Sequence, residues 1–168
     1  VDNLNKFYLT FDNPSESLED GVFYGKCAEL CGPSHALMDF KVKSLDRDDF
    51  DKWAADMKAT KEETPESDVA QQGQELFTNN SCIGCHAVSG AGTTGAQGPS
   101  LATFGDRNRV AGYLEKTDEN VKAWINDPEK HKPGNLMPQP EELNNGKKFT
   151  DQELTALTEY LMGLSVEE

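Results

Sequence analysis

Long apolar runs are missing from this chain. No stretch of its 168 residues approaches the roughly 18 consecutive apolar residues that a membrane-crossing helix requires, and the mean hydropathy is −0.69. A leader-like opening is missing too. Val1-Asp2-Asn3 runs directly into strand-like sequence at Lys6-Phe7-Tyr8-Leu9-Thr10-Phe11, with no basic, apolar, small-residue series, so a mature or truncated product is expected. Positive charge is scarce, 16 basic against 30 acidic residues, for a formal net charge of −14. The deficit is spread evenly, −6 over residues 1–64 and −8 over residues 65–168, and neither half has the basic stripe of a nucleic-acid binder. Such an acidic surface suits the steering of a basic protein, and equally a solvated exterior in a saline or alkaline medium. No repeat or low-complexity segment is visible.

Cysteine is sparse but placed. Cys27 with Cys31 and Cys82 with Cys85 form two pairs, separated by a polar stretch and set in unlike surroundings. The length allows one ordinary domain or two small ones, and the pairs argue for two. Residues 1–43 read as β-rich, with strands at Phe7-Tyr8-Leu9, Val22-Phe23-Tyr24 and Met38 to Val42 around the turn-formers Asn13-Pro14-Ser15 and Asp20-Gly21. Phe50, Trp53, Ala54 and Met57, behind Asp46, Asp48 and Asp49, have the spacing of a short amphipathic helix that closes the first unit at residue 57. Residues 58–68 have no apolar period and suit a solvated linker. From residue 69 the chain reads as helical and loop-rich. One helix face carries Val69, Gly73, Leu76 and Phe77, and another Val121, Trp124 and Ile125 before Asp127-Pro128. The last helix opens on a capping box, Thr150-Asp151-Gln152-Glu153, with Leu154, Leu157, Leu161 and Leu164 on one side.

Cys82-Ile83-Gly84-Cys85-His86 is the C-x-x-C-H signature of covalent haem c attachment. Two thiols with two residues between them match the two vinyl groups, and the adjacent histidine is placed to reach the iron. A dithiol redox pair or half of a zinc site is the plainer reading. Against these, the chain lacks the second Cys/His pair of a structural zinc and the βαβ context of a thioredoxin-like motif. An electron-transfer haem takes a second axial ligand, for which Met137, in Gly134-Asn135-Leu136-Met137-Pro138, is the candidate. His131 competes, and Met162 reads as packing filler.

From about Val69 to Leu164 the chain resembles the small class I cytochromes c. The likeness lies in Gly73 and Phe77 on a first helix, the C-x-x-C-H motif, Gly98-Pro99-Ser100-Leu101, a Met-Pro loop, and a closing helix bearing Tyr160. The resemblance implies that the first and last helices cross at Gly73 and that the carbonyl of Pro99 accepts the ring N–H of His86.

The first pair lies in a denser motif. Gly25 to Met38 places Cys27, Cys31, His35 and Met38 in a C-x3-C-x3-H-x2-M array. Thiolate, thioether and imidazole are a copper ligand set, and on a β-rich unit they suggest a cupredoxin. A Cys27–Cys31 disulfide is the plainer reading. The segment resembles the ligand loop of the dinuclear CuA centre in subunit II of haem-copper oxidases. Carried over, Cys27 and Cys31 bridge two coppers, His35 and Met38 bind one each, and the main-chain oxygen of Glu29 completes the set. That family also uses a histidine from an earlier strand, and no histidine precedes His35 here.

A CuA loop followed by a cytochrome c resembles subunit II of caa3-type cytochrome c oxidases. The implied architecture is a β-rich partial cupredoxin over residues 1–57, a linker over 58–68 and an all-α class I cytochrome c over 69–168. The implied role is to carry electrons from an external donor, a cytochrome c or quinol-oxidising complex, through haem c to CuA and on to the oxygen-reducing subunit. Other oxidase subunits are then partners, and the location is the extracytoplasmic face of a bacterial membrane, with membrane helices upstream of Val1. Two rivals remain: a free soluble cytochrome c with a vestigial copper half-domain, and a subunit of a CuA-containing nitrogen-oxide reductase.

Overall fold

In the computed structural model every buried hydrophobic side chain among the described residues lies at or beyond Ala70, whereas the exposed large apolar residues fall mostly before it, from Tyr8 to Trp53. The structure describes residues 6, 8–15, 21–60, 64–89 and 97–166. It consists of a short β segment followed by a helical unit with its own core.

Strands β1 (Phe23–Lys26) and β2 (Asp39–Val42) form an antiparallel pair in the register Phe23↔Val42 to Lys26↔Asp39. Phe40 lies opposite Gly25, and a Cβ on that glycine would stand 2.2 Å from its ring. The glycine therefore admits the aromatic across the ladder. Ser15 is fully buried and ties the preceding chain down, its hydroxyl donating to Gly21 O at 2.7 Å and accepting from Ser44 N at 3.0 Å. The expected first strand is not present at Tyr8 and Leu9, which are 92% and 66% exposed with no regular structure. A strand needs a neighbour to hydrogen-bond, and none of the described residues supplies one there. Phe7 lies outside the described residues.

Helix α1 (Arg47–Ala59) forms where the period placed it, but it buries no residue, and Phe50 and Trp53 pair with each other at 5.7 Å while 45% and 41% exposed. The helix also runs two residues past the expected stop at residue 57. Its polar face supplies two i,i+4 ion pairs, Arg47–Asp51 at 2.8 Å and Lys52–Asp56 at 2.9 Å.

The helical unit is built on the crossing of α2 (Asp68–Asn79) and α6 (Asp151–Met162). At Gly73 a Cβ would lie 2.0 Å from Ala156 O and 2.7 Å from the Tyr160 Cβ, so only glycine lets the backbones approach this closely. Phe77 and Tyr160 pack one turn along, ring centroids 5.7 Å apart and tilted by 60°. The buried face of α2 is Ala70, Gly73 and Phe77; Val69 is 39% exposed, correcting the sequence expectation by one position. Leu154, Leu157 and Leu161 of α6 are buried as expected, joined by Val121 and Ile125 of α3 (Asp118–Asn126). A capping box holds the N-terminus of α6: Thr150 Oγ1 accepts from Glu153 N at 3.2 Å while the Glu153 carboxylate accepts from Thr150 N at 2.7 Å.

Four short elements went unread in the sequence. A two-residue ladder pairs β3 (Arg109–Val110) with β4 (Leu114–Glu115) around Ala111 and Gly112, both at positive φ. Two single-turn helices, α4 (Pro128–His131) and α5 (Pro140–Leu143), each start on a proline, a position where its missing N–H is harmless. The loop between them carries Met137.

Candidate functional site

The copper-type ligands sit on the connection between β1 and β2. The hairpin closes on the Lys26–Asp39 ion pair at 3.2 Å and on a Cys27 N–H to Met38 carbonyl bond at 3.0 Å. Inside it, Gly32 at φ +137 turns the chain, and a short 3-10 turn, His35–Leu37, brings His35 and Met38 back over Cys31. Cys27 Sγ lies 3.5 Å from Cys31 Sγ and 3.2 Å from the Glu29 carbonyl; Cys31 Sγ lies 3.6 Å from His35 Nδ1 and 3.7 Å from Met38 Sδ. All five expected ligands thus converge. Among the described residues, Cys27, Cys31 and His35 are the group whose ligand atoms fall within 4.8 Å of one another. Both cysteines are free, and their sulfur separation is far beyond a disulfide bond of about 2.05 Å. The hydrogen bond shared with Cys27 pushes the Cys31 thiol above its ordinary pKa, with desolvation and the neighbouring charge acting the same way. That is the cost of crowding two thiols, and a bound cation would reverse it.

The second site follows α2. Ser81 adopts φ +63 and starts the 3-10 turn Cys82–Gly84, whose carbonyl at Cys82 accepts from Cys85 N at 3.1 Å and His86 N at 3.0 Å. This turn presents both thiols and the imidazole from one short segment. His86 Nδ1 lies 2.8 Å from Pro99 O, the contact that the class I resemblance implied. With Nδ1 donating to a carbonyl, Nε2 is left with its lone pair for a metal. Gly98 makes room for the ring: a Cβ there would be 2.6 Å from His86 Cε1. Cys82 and Ile83 pack against the core, and burial pushes the Cys82 thiol up to about 11. Unlike the copper-type set, Cys82, Cys85 and His86 do not form a convergent ligand group. Two free thiols beside an imidazole with one nitrogen already engaged fit haem attachment, in which sulfur bonds to the macrocycle rim and only the histidine binds the iron.

A cytochrome c family model matches residues 70–165. The chain belongs to the cytochrome c family. A second model, the periplasmic domain of cytochrome c oxidase subunit II, matches residues 12–45 of this family member. The cytochrome is 50% identical to cytochrome c oxidase subunit 2 of Bacillus sp. (strain PS3) over 99% of this chain and 46% of that protein. Its identity to the Bacillus subtilis protein of the same name is also 50%, over the same shares. With Alkalihalophilus pseudofirmus subunit 2 it is 52% over 91% of this chain and 42% of the relative. The cytochrome therefore spans about half the length of the curated relatives it matches. The architecture is a short subunit II segment with small strands, then a helical cytochrome c domain.

Met137 is half-buried in the loop between α4 and α5, its N–H donating to Asn135 Oδ1 at 2.8 Å. His131, the competing ligand, ends α4, where its carbonyl accepts from the Tyr113 hydroxyl. Met162 is partly buried against the core, as filler. Sequence reading missed the cations that anchor loops on carbonyls: Arg107 on Ser100, Lys116 on Gly105, and Lys132 on Ala111 at 3.1 Å. No spacing rule links such side chains to partners chosen by the tertiary fold. No described helix is long and apolar enough to cross a membrane.

Proposed function

We propose that this chain is the electron-entry part of subunit II of a caa3-type cytochrome c oxidase. The observation that supports it best is the coexistence on one chain of the converged Cys27, Cys31, His35 and Met38 set and of His86 seated on Pro99 beside two free thiols. Cys82 and Cys85 hold haem c covalently, His86 and Met137 ligate its iron, and Cys27, Glu29, Cys31, His35 and Met38 belong to a CuA centre. When bound, these groups supply one-electron couples. The protein's part is to hold them still. Pro99 fixes the His86 tautomer and ring plane, Gly98 leaves the ring space, and the Asn135 turn sets the Met137 backbone. Residues 1–57 form the copper unit, 58–68 the linker and 69–168 the cytochrome unit. The linkage keeps donor and acceptor at a high effective concentration. In the whole protein, an external cytochrome c or quinol-oxidising complex donates electrons, another subunit reduces oxygen, and the site faces the extracytoplasmic side of the membrane.

The test uses the full-length subunit in its oxidase. Cys31→Ser should leave the covalent haem and its spectrum in place while stopping its reoxidation by oxygen. Undiminished reoxidation in that variant would show that electrons do not leave through the copper loop.

A further inference from the structure

The copper-ligand loop rests against the cytochrome unit at a specific turn. Ser34 Oγ donates to the carbonyl of Pro133 at 2.6 Å, a contact between residues 99 apart in sequence. Beside it the Pro33 ring lies against Gly134, where a Cβ would stand 3.3 Å from Pro33 Cγ. Gly134 also has φ +77, so the turn and the close approach both suit glycine. Cys31, His35 and Met38 on one side and Lys132 and Asn135 on the other line the cleft flanking this contact. The turn is stiffened from behind. The Glu129 carboxylate accepts from Gly134 N at 3.0 and 3.1 Å, Asn135 Nδ2 donates to Lys132 O at 2.8 Å, and Asn135 Oδ1 accepts from Met137 N at 2.8 Å. On the copper side, Ser34 is the residue before His35, and its carbonyl accepts from Leu37 N at 2.9 Å within the ligand-bearing turn. Two polar links therefore separate the docking point from Met137, and one peptide bond separates it from His35.

We propose that the seating of Pro33–Ser34 on Pro133–Gly134 is the internal docking contact that orients the cytochrome unit towards the copper loop. Ser34 and Gly134 are its positioning residues. The proposal rests on the electron-transfer reading above. A linker alone sets the encounter frequency, whereas electron tunnelling falls exponentially with distance, so a fixed seat selects the short-distance arrangement. One electron, supplied by the external donor, leaves the cytochrome unit, which is oxidised by one unit, and reduces the copper unit by one; no bond is made or broken.

Gly134→Asn is the informative variant, because asparagine tolerates positive φ while its Cβ, 3.3 Å from Pro33 Cγ, crowds that ring at the contact. Gly146→Asn is its control, since Gly146 has φ +81 with open space around it. In the full-length subunit, hydrogen exchange of the 132–137 amides should speed up about fivefold in Ser34→Ala, the loss expected of one hydrogen bond. Gly134→Asn should speed it by at least as much and Gly146→Asn not at all. Electron transfer from haem to copper after rapid photoreduction should slow in the first two variants, at unchanged midpoint potentials and spectra. Unaltered exchange in both Ser34→Ala and Gly134→Asn, or altered exchange with an unaltered transfer rate, would overturn the proposal. A wild-type subunit without haem or copper would instead overturn the function, and the exchange comparison would still decide the contact.

Discussion

At Gly98 the room for a single carbon decides how the imidazole of His86 is held. A Cβ would come within 2.6 Å of the ring and 3.0 Å of Cys85 O, closer than atoms in contact allow, so Gly98→Ala should displace the ring from Pro99. The expected readout is a changed axial-ligand spectrum with haem still attached through Cys82 and Cys85; an unchanged spectrum would mean that the ring has room to yield. At Met137 the expectation is loss of the weak sulfur-to-iron absorption band and a lower potential on replacement by alanine, the direction expected when a thioether leaves. If Met137→Ala changes neither, His131 becomes the ligand to test. Cys82 has a pH signature of its own in the haem-free chain. Burial holds its pKa near 11 against an ordinary 9.0, so the thiolate, the reactive form, is suppressed at neutral pH. Alkylation of Cys82, followed by peptide mapping, should rise with pH up to about 11, and a plateau already at pH 9 would show the thiol solvated.

Among the elements, the α2–α6 crossing carries the cytochrome fold. Gly73→Ala would drive a carbon to 2.0 Å from Ala156 O, and overpacking of this kind costs about 3 kcal/mol or more where backbone must move. Urea unfolding should lose that much from the holoprotein, and a loss below about 1 kcal/mol would mean that the helices slide apart readily. The N-cap of α6 is a milder case, since Thr150→Ala removes a side-chain acceptor and should cost about 1 kcal/mol. Such caps were legible in sequence because the Thr-x-x-Glu partners lie within one turn. The α2 face was misjudged at Val69 because a start near a helix N-terminus leaves the phase of a short period free, and packing on α6 chose Ala70 instead. Tyr8 and Leu9 read as strand because of their composition, yet strand formation needs a hydrogen-bonded neighbour that composition does not supply. The β3–β4 ladder was too short to leave a period.

For the whole molecule, the contrast in burial predicts a contrast in autonomy. Among the described residues the buried apolar ones all belong to residues 70–161, and a covalent haem adds apolar area to a unit of this size. Residues 69–168 expressed in a haem-c-maturing periplasm should give a red protein that unfolds cooperatively, and a haem-free or molten product would make the copper unit a structural partner. Residues 1–57 show two paired strands and a helix with nothing buried. Copper titration of this chain should stop short of a CuA spectrum, since the family's ligand set includes a histidine from an earlier strand and none precedes His35; hyperfine coupling spread over two copper nuclei would disprove that. The sequence by itself determined the candidate ligands, the two motifs and the three long helices of the cytochrome unit, because C-x-x-C-H, C-x3-C-x3-H-x2-M, caps and helical periods are relations within a few residues. Only the tertiary structure decided that His86 meets Pro99, that Gly73 admits Ala156, and that Ser34 seats on Pro133, because each joins residues far apart in the chain and depends on space left by the packing of everything between them.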